Sequence, residues 1–264
     1  KLELIMDIKY FLSFGNMLAD ESRKISLKYY KKNIDINSKS SSKFDPVTIA
    51  DLAIQKCINN LIIKKYSNHS IIGEEQSLIT DSEYEWCIDP IDGTRSFING
   101  FPMWGTLISL SKNNKIILGI ADMPALDERY IGYEKLSYKI INNKKKILKV
   151  KKNKQLSKST LSSTSPYLFD NKKDQASFNK LSKKVNDVHY GGNCYAYCLL
   201  ADGHIDIIVE SGLGPWDIRA LVPIVKNAGG IIKTWNNADP KDGGRIIAAN
   251  ENSTLIQAQS ILLE

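Results

Sequence analysis

The chain has 264 residues, 42% of them apolar and 9% aromatic, which suits one large or two small domains and excludes a largely disordered protein. No apolar run approaches the ~18–20 residues of a membrane-spanning helix, so membrane partners are not expected. The formal charge of +7 invites a nucleic-acid reading, yet only five of 36 basic residues are Arg (Arg23, Arg95, Arg129, Arg219, Arg245), the usual residue for phosphate and base recognition.

Along the chain, Leu4, Ile8, Phe11, Leu18, Ile25 and Tyr29 recur at helical spacing and predict a long helix from Leu2 to Tyr30. The polar, Ser- and Lys-rich segment from Lys31 to Asp45 reads as a mobile loop. Thr48 followed by Asp51 resembles a capping box that opens a second helix, running to about Tyr66. The texture then turns strand-like at Ser70–Ile72, Tyr84–Ile88, Thr106–Ser111 and Lys115–Asp122, the last two joined at Asn113-Asn114. From Lys135 to Ser163 the chain carries its densest Lys run and then a Ser/Thr tract, and a boundary between halves is placed there. Beyond it, helical patterns at Phe178–Val185, Tyr195–Ala201, Ile218–Ala228 and Ser253–Leu263 alternate with strand patterns at Ile205–Glu210, Ile231–Trp235 and Ile246–Ala249. An N-terminal α+β half (residues 1–145) followed by a C-terminal α/β half (146–264) is therefore expected.

Lys1 stands where an initiator Met is usual, which points to numbering that begins after the initiator; no signal-peptide core is visible. Four cysteines without a C-x-x-C pair favour a reduced, cytoplasmic setting. The Lys residues mix with Asn and Ile, as from Asn142 to Lys154, which reads as solvated surface, with a specific nucleic-acid patch as the alternative.

Acidic residues gather at the ends of strand patterns. Gly73-Glu74-Glu75 follows one, and Asp89-Pro90-Ile91-Asp92-Gly93-Thr94 follows another. Pro90 stops continuation of the strand and Gly93 permits a tight turn, so Asp89 and Asp92 are free to converge on one point. Close carboxylates repel unless a cation relieves them, and the lack of nearby His or Cys favours Mg2+ over Zn2+. Taken singly these acids also fit turn formers and solvated charges. Asp217, after Gly214-Pro215-Trp216, equally fits a helix cap, as Asp51 fits the box with Thr48 and Thr94 a turn hydroxyl. His69, His189 and His204 fall in no triad or metal spacing and read as structural.

The segment from Asp89 to Thr94, with Gly73-Glu74-Glu75 upstream and Trp216-Asp217 downstream, resembles the inositol monophosphatase superfamily of Mg2+-dependent phosphatases over essentially the whole chain. Arg95-Ser96-Phe97, Trp104-Gly105-Thr106-Leu107-Ile108 and Gly191-Gly192-Asn193-Cys194-Tyr195-Ala196-Tyr197 are most similar to its histidinol-phosphate phosphatase branch, which usually carries Asp where Asn193 stands.

The resemblance implies a layered αβαβα sandwich. It implies that Glu74, Asp89, the Ile91 carbonyl, Asp92 and Asp217 hold Mg2+ (roughly two or three ions), with Asp89 bridging. Thr94, hydrogen-bonded to Asp51, would orient the attacking water together with Glu74. Gly93 and Thr94 N–H groups would meet the phosphate, while Asn193, Glu210 and Asp217 line the substrate side. The role of Arg95 stays open, and Arg219 fits either a further phosphate or sugar contact or a solvated helix position. The expected activity is hydrolysis of histidinol phosphate in histidine biosynthesis; inositol or other sugar phosphates are the alternative substrates, and an RNA- or transcription-associated role is a second alternative. A homodimer acting on a small phosphorylated metabolite, with nucleic acid not a partner in the leading reading, completes the expectation.

Overall fold

The computed structural model describes residues 2–32, 36–38, 46–152, 155–169 and 171–264. Helix α1 (Leu2–Tyr29) is followed by two short antiparallel strands, β1 (Ile36–Ser38) and β2 (Pro46–Thr48). The remainder of the predicted loop, residues 33–35 and 39–45, lies outside the described residues, as do 153 and 154 at the end of the Lys-rich stretch. Thr48 caps α2 (Ile49–Lys65): its Oγ1 accepts from the Ala50 N–H (3.2 Å), and Asp51 Oδ2 accepts from the Thr48 N–H (2.8 Å). The capping box read from the sequence is formed.

Strands β3 (Ser70–Gly73), β4 (Tyr84–Asp92), β5 (Gly105–Lys112), β6 (Lys115–Met123), β7 (Glu128–Tyr133), β8 (Leu136–Ile141) and β9 (Lys144–Ile147) form one sheet in chain order, with the short helix α3 (Thr94–Ile98) between β4 and β5. Only β3 and β4 run parallel. The β5–β6 hairpin turns at Asn113-Asn114 with φ of 48° and 63°, the left-handed pair that a two-residue turn requires. Asn142-Asn143 does the same for β8 and β9 at 49° and 57°. Within the Lys run, Lys144–Ile147 form β9, a fully exposed edge where lysines face water and discourage further strand pairing.

The second sheet is built from β10 (Thr160–Ser163), β11 (Asp187–Tyr190), β12 (Ile207–Leu213), β13 (Ile231–Thr234) and β14 (Gly244–Ala249), in the order β11-β10-β12-β14-β13. Helices α4 (Lys172–Ser182), α5 (Asn193–Ala201), α6 (Pro215–Ile218), α7 (Leu221–Asn227) and α8 (Asn252–Leu262) surround it. The single helix expected over Ile218–Ala228 is divided, because Pro223 has no N–H to close onto the Arg219 carbonyl.

Alternation along the strands assigns each layer. Ile108, Ile120 and Ile131 face α1 and α2, whereas Leu107, Ala121 and Tyr130 face α5 and α7. In the second sheet Ile208 and Ala248 face the same central helices, while Ile207, Val209 and Ile247 pack against α4 and α8. Helices, sheet, helices, sheet, helices: this α+β protein is the αβαβα sandwich that the resemblance implies. No helix among the described residues is long and apolar enough to cross a membrane.

Candidate active site

Strand β4 delivers two carboxylates to one end of the first sheet. Its pairing with β5 is regular up to Asp89↔Leu107 and then shifts before Asp92↔Gly105. That irregularity turns Asp92 toward Asp89. Gly93 follows with φ of 83°, and a Cβ there would stand 2.7 Å from Asn193 Nδ2 and 3.0 Å from the Met103 carbonyl. Both the backbone and the space require glycine. Asp217 arrives from the central layer at the start of α6, held where its Oδ2 accepts from the Gly214 N–H (2.6 Å).

Oxygens of Asp89, Asp92 and Asp217 lie within 4.8 Å of one another. Asp92 Oδ2 accepts from the Cys194 N–H at the start of α5 (2.6 Å). Asp89 Oδ1 is buried without a hydrogen-bond partner. Glu74, just past β3, is the neighbouring acid that weighs most on Asp89 after burial itself. Burial first, and then the neighbouring acids, push Asp89 and Asp217 well above the usual carboxylate range. Burial raises Asp92 to about 6 against the lowering effect of the Cys194 bond. None of the ion pairs found among the described residues brings Lys or Arg to Asp89, Asp92 or Asp217. An orphaned buried oxygen, raised carboxyl groups and an all-oxygen donor set fit a hard divalent cation.

The other predicted residues stand around this cluster in different ways. Thr94 Oγ1 donates to the Ile91 carbonyl (3.1 Å). Asp51 Oδ2 takes both the N–H and the hydroxyl of Thr48, and its Oδ1 is buried without a partner, so the implied Thr94–Asp51 bond is replaced by these local ones. Burial raises Asp51 to about 6, with Glu74 and Glu75 adding to the effect. Asn193, at φ of 46°, donates through Nδ2 to Ser96 Oγ (3.0 Å) and the Met103 carbonyl (2.7 Å). It fastens α5 to α3 and to the segment after it, and an aspartate could not make these donations.

Glu210 is buried, and both of its oxygens are engaged. Oε1 accepts from the Thr164 N–H (2.9 Å) and hydroxyl (2.5 Å), and Oε2 accepts from Tyr197 OH (3.0 Å). Burial brings it up to about 7. Glu210 lies within β12, which runs on to Leu213, and with Thr164, Tyr197, Asp92 and Asp217 it lines a cavity of about 80 Å³ beside the cluster. Thr164 and Tyr197 were not anticipated. Parallel pairing of Leu161 with Ile207 brings the end of β10 beside Glu210, a register with no local sequence signal.

Arg219 points elsewhere, donating to Glu85 (2.5 Å) and the Lys241 carbonyl (2.9 Å), which settles it as a brace between β4 and the loop after β13. Arg95 is exposed on α3. His69 is buried, accepts from Trp86 Nε1 (3.1 Å) and stacks on Tyr66 and Tyr84, while His189 and His204 are exposed.

This two-sheet sandwich, with three carboxylates converging at the end of β4, has the fold of the inositol monophosphatases, a class of phosphoric monoester hydrolases. The profile of the inositol monophosphatase family matches residues 7–263, and the chain belongs to that family. It is 40% identical over 232 residues to the bifunctional phosphatase IMPL2, chloroplastic, of Arabidopsis thaliana, a match that covers 87% of this chain and 65% of that relative's length. It is 32% identical to a histidinol-phosphatase of Chlorobaculum parvum, over 88% and 89% of the two chains. Among solved structures, an inositol monophosphatase from Zymomonas mobilis superposes with a TM-score of 0.85 at 33% identity, covering 97% of this chain and 98% of that one.

Proposed function

We propose that this chain is a Mg2+-dependent phosphomonoesterase that hydrolyses histidinol phosphate. In this reading Glu74, Asp89, the Ile91 carbonyl, Asp92 and Asp217 hold the metal, with residues 1–145 supplying most ligands and 146–264 completing the site. Bound Mg2+ supplies positive charge for the phosphate oxygens and the developing leaving-group oxygen. The backbone N–H groups of Gly93 and Thr94, where β4 turns into α3, hold the phosphate. Thr94 Oγ1, Glu74 and the open Oδ1 of Asp51 orient the attacking water. Phosphoryl transfer asks little more of a protein than positioning and charge.

The observation that carries the substrate reading is Glu210, a carboxylate outside that metal-holding set, in the cavity adjoining Asp92 and Asp217. Surplus negative charge there suits a phosphoester that bears an ammonium group. The histidinol-phosphatase matched along nearly its whole length supports the same substrate. The test is phosphate release with Mg2+ from histidinol phosphate, inositol 1-phosphate and fructose 1,6-bisphosphate. Histidinol phosphate is expected to have the highest kcat/KM. Inositol 1-phosphate hydrolysed at least as well would replace the reading with that of a sugar-phosphate phosphatase.

A further inference from the structure

A cavity of about 490 Å³ lies apart from the one of about 80 Å³ beside the acidic cluster. It lies at the opposite end of β4, where Tyr84 contributes to its wall, and Asp89 is five residues further along that strand. At the strand rise the two positions are about 16 Å apart. Its volume falls within the range of small-molecule sites, roughly 300–1,000 Å³.

The lining has two chemistries. Its floor is apolar: Phe11 and Val222 are buried yet keep 7% and 6% of their surface open. The Phe11 and Tyr84 rings stand 5.1 Å apart, and Lys112 Nζ lies over the Tyr84 ring at 4.8 Å. The rim is basic. Lys115, on the β5–β6 hairpin, Lys226, near the end of α7, and Lys241, in the loop after β13, come from three separate parts of the chain. None of these three is in an ion pair among the described residues. Glu134 and Asp239 share the rim, leaving the cations in excess and offering acceptors to a ligand donor group.

We propose that this cavity is a second binding site, separate from the acidic cluster, for a small organic anion with a flat aromatic body. The apolar floor takes the ring system, and the rim lysines take the anionic group. A neutral aromatic loses the charge term, and a small inorganic anion loses the floor, so neither alone matches both parts.

The probe is 8-anilinonaphthalene-1-sulfonate, with the uncharged N-phenyl-1-naphthylamine as its control, titrated by fluorescence and calorimetry onto the native, full chain. One sulfonate probe per chain is expected, binding about tenfold or more tighter than the neutral control. Lys226→Glu combined with Lys241→Glu, both away from the core, should weaken the sulfonate about tenfold or more and leave the neutral probe within about twofold. Asp92→Asn protein should bind the sulfonate as the wild type does. Absence of binding, equal affinity for both probes, indifference to the lysine changes, or loss of binding in Asp92→Asn would each overturn the proposal.

Discussion

Asp92 and Cys194 are 102 positions apart, yet the Asp92 carboxylate accepts the Cys194 backbone N–H at 2.6 Å. One side chain therefore both belongs to the acidic cluster and satisfies an amide at the start of α5, joining the end of the first sheet to the central helices. The N-terminal end of a helix favours negative charge, so this contact lowers the Asp92 pKa against the stronger effect of burial.

The double role makes Asp92→Asn a clean probe. Asparagine keeps the volume and an oxygen for the Cys194 N–H but removes the charge. Turnover should fall at least about 100-fold, as expected when an electrostatic group of the reaction is lost, while circular dichroism and the melting temperature stay near wild type. Near-normal activity at saturating Mg2+ would sink the metal assignment.

The raised carboxyl groups fix the sign of a pH effect. Asp92 at about 6 and Glu210 at about 7 lie above the usual carboxylate values, so the folded metal-free protein holds protons that the unfolded chain releases. Their stabilising contribution is complete below the unfolded pKa, near 4, and is lost as pH rises through about 6 to 7. Each group then costs on the order of 3 kcal/mol. A divalent cation at the cluster should offset that cost, and it binds only the deprotonated groups. The increase in melting temperature between EDTA and Mg2+ should therefore be larger at pH 8 than at pH 5. The same increment at both pH values, or none, contradicts the reading.

Thr94 offers a kinetic separation. Its hydroxyl faces the Ile91 carbonyl, and loss of a water-orienting group should lower kcat about 100-fold for Thr94→Ala with KM changed by less than about threefold. A change confined to KM would make Thr94 a binding residue instead.

Much of this site is visible in the sequence, because its clustered carboxylates sit at local punctuation. Asp89 and Asp92 flank Pro90 and precede Gly93, and Asp217 follows a Pro at a helix start; short-range rules place all three. The layered fold follows from strand alternation such as Leu107 against Ile108. What stayed hidden was set by distant partners. Lys139 reads as solvent-facing, yet it is buried against Asp202 at 2.9 Å, so the β8 pattern looks broken. Thr164 sits in a Ser/Thr tract that resembles a linker, and only the β10–β12 register gives it Glu210 as a partner. Neither relationship leaves a local trace.

That last pair changes how Glu210 is expected to act. A carboxylate on the substrate side invites direct contact with a substrate ammonium group, but Thr164 and Tyr197 already occupy both carboxylate oxygens. Its charge then reaches the substrate through the cavity rather than by touching it, and its hydrogen bonds hold the chain at the end of β10 in place. Glu210→Gln removes the charge and turns one acceptor into a donor facing a group that already donates. Hydrogen bonds to a charged acceptor contribute ~1.5–3 kcal/mol, and for a chain of this size a loss in that range lowers the melting temperature by roughly 3–10 °C. The kinetic consequence separates two roles. If the charge selects a cationic substrate, kcat/KM should fall about tenfold for histidinol phosphate and by less than about twofold for a neutral sugar phosphate. If Glu210 only fastens Thr164, both substrates should lose equally, and Thr164→Val should reproduce the loss. Parallel kinetics on the two substrates, with melting curves of both variants, decide between them.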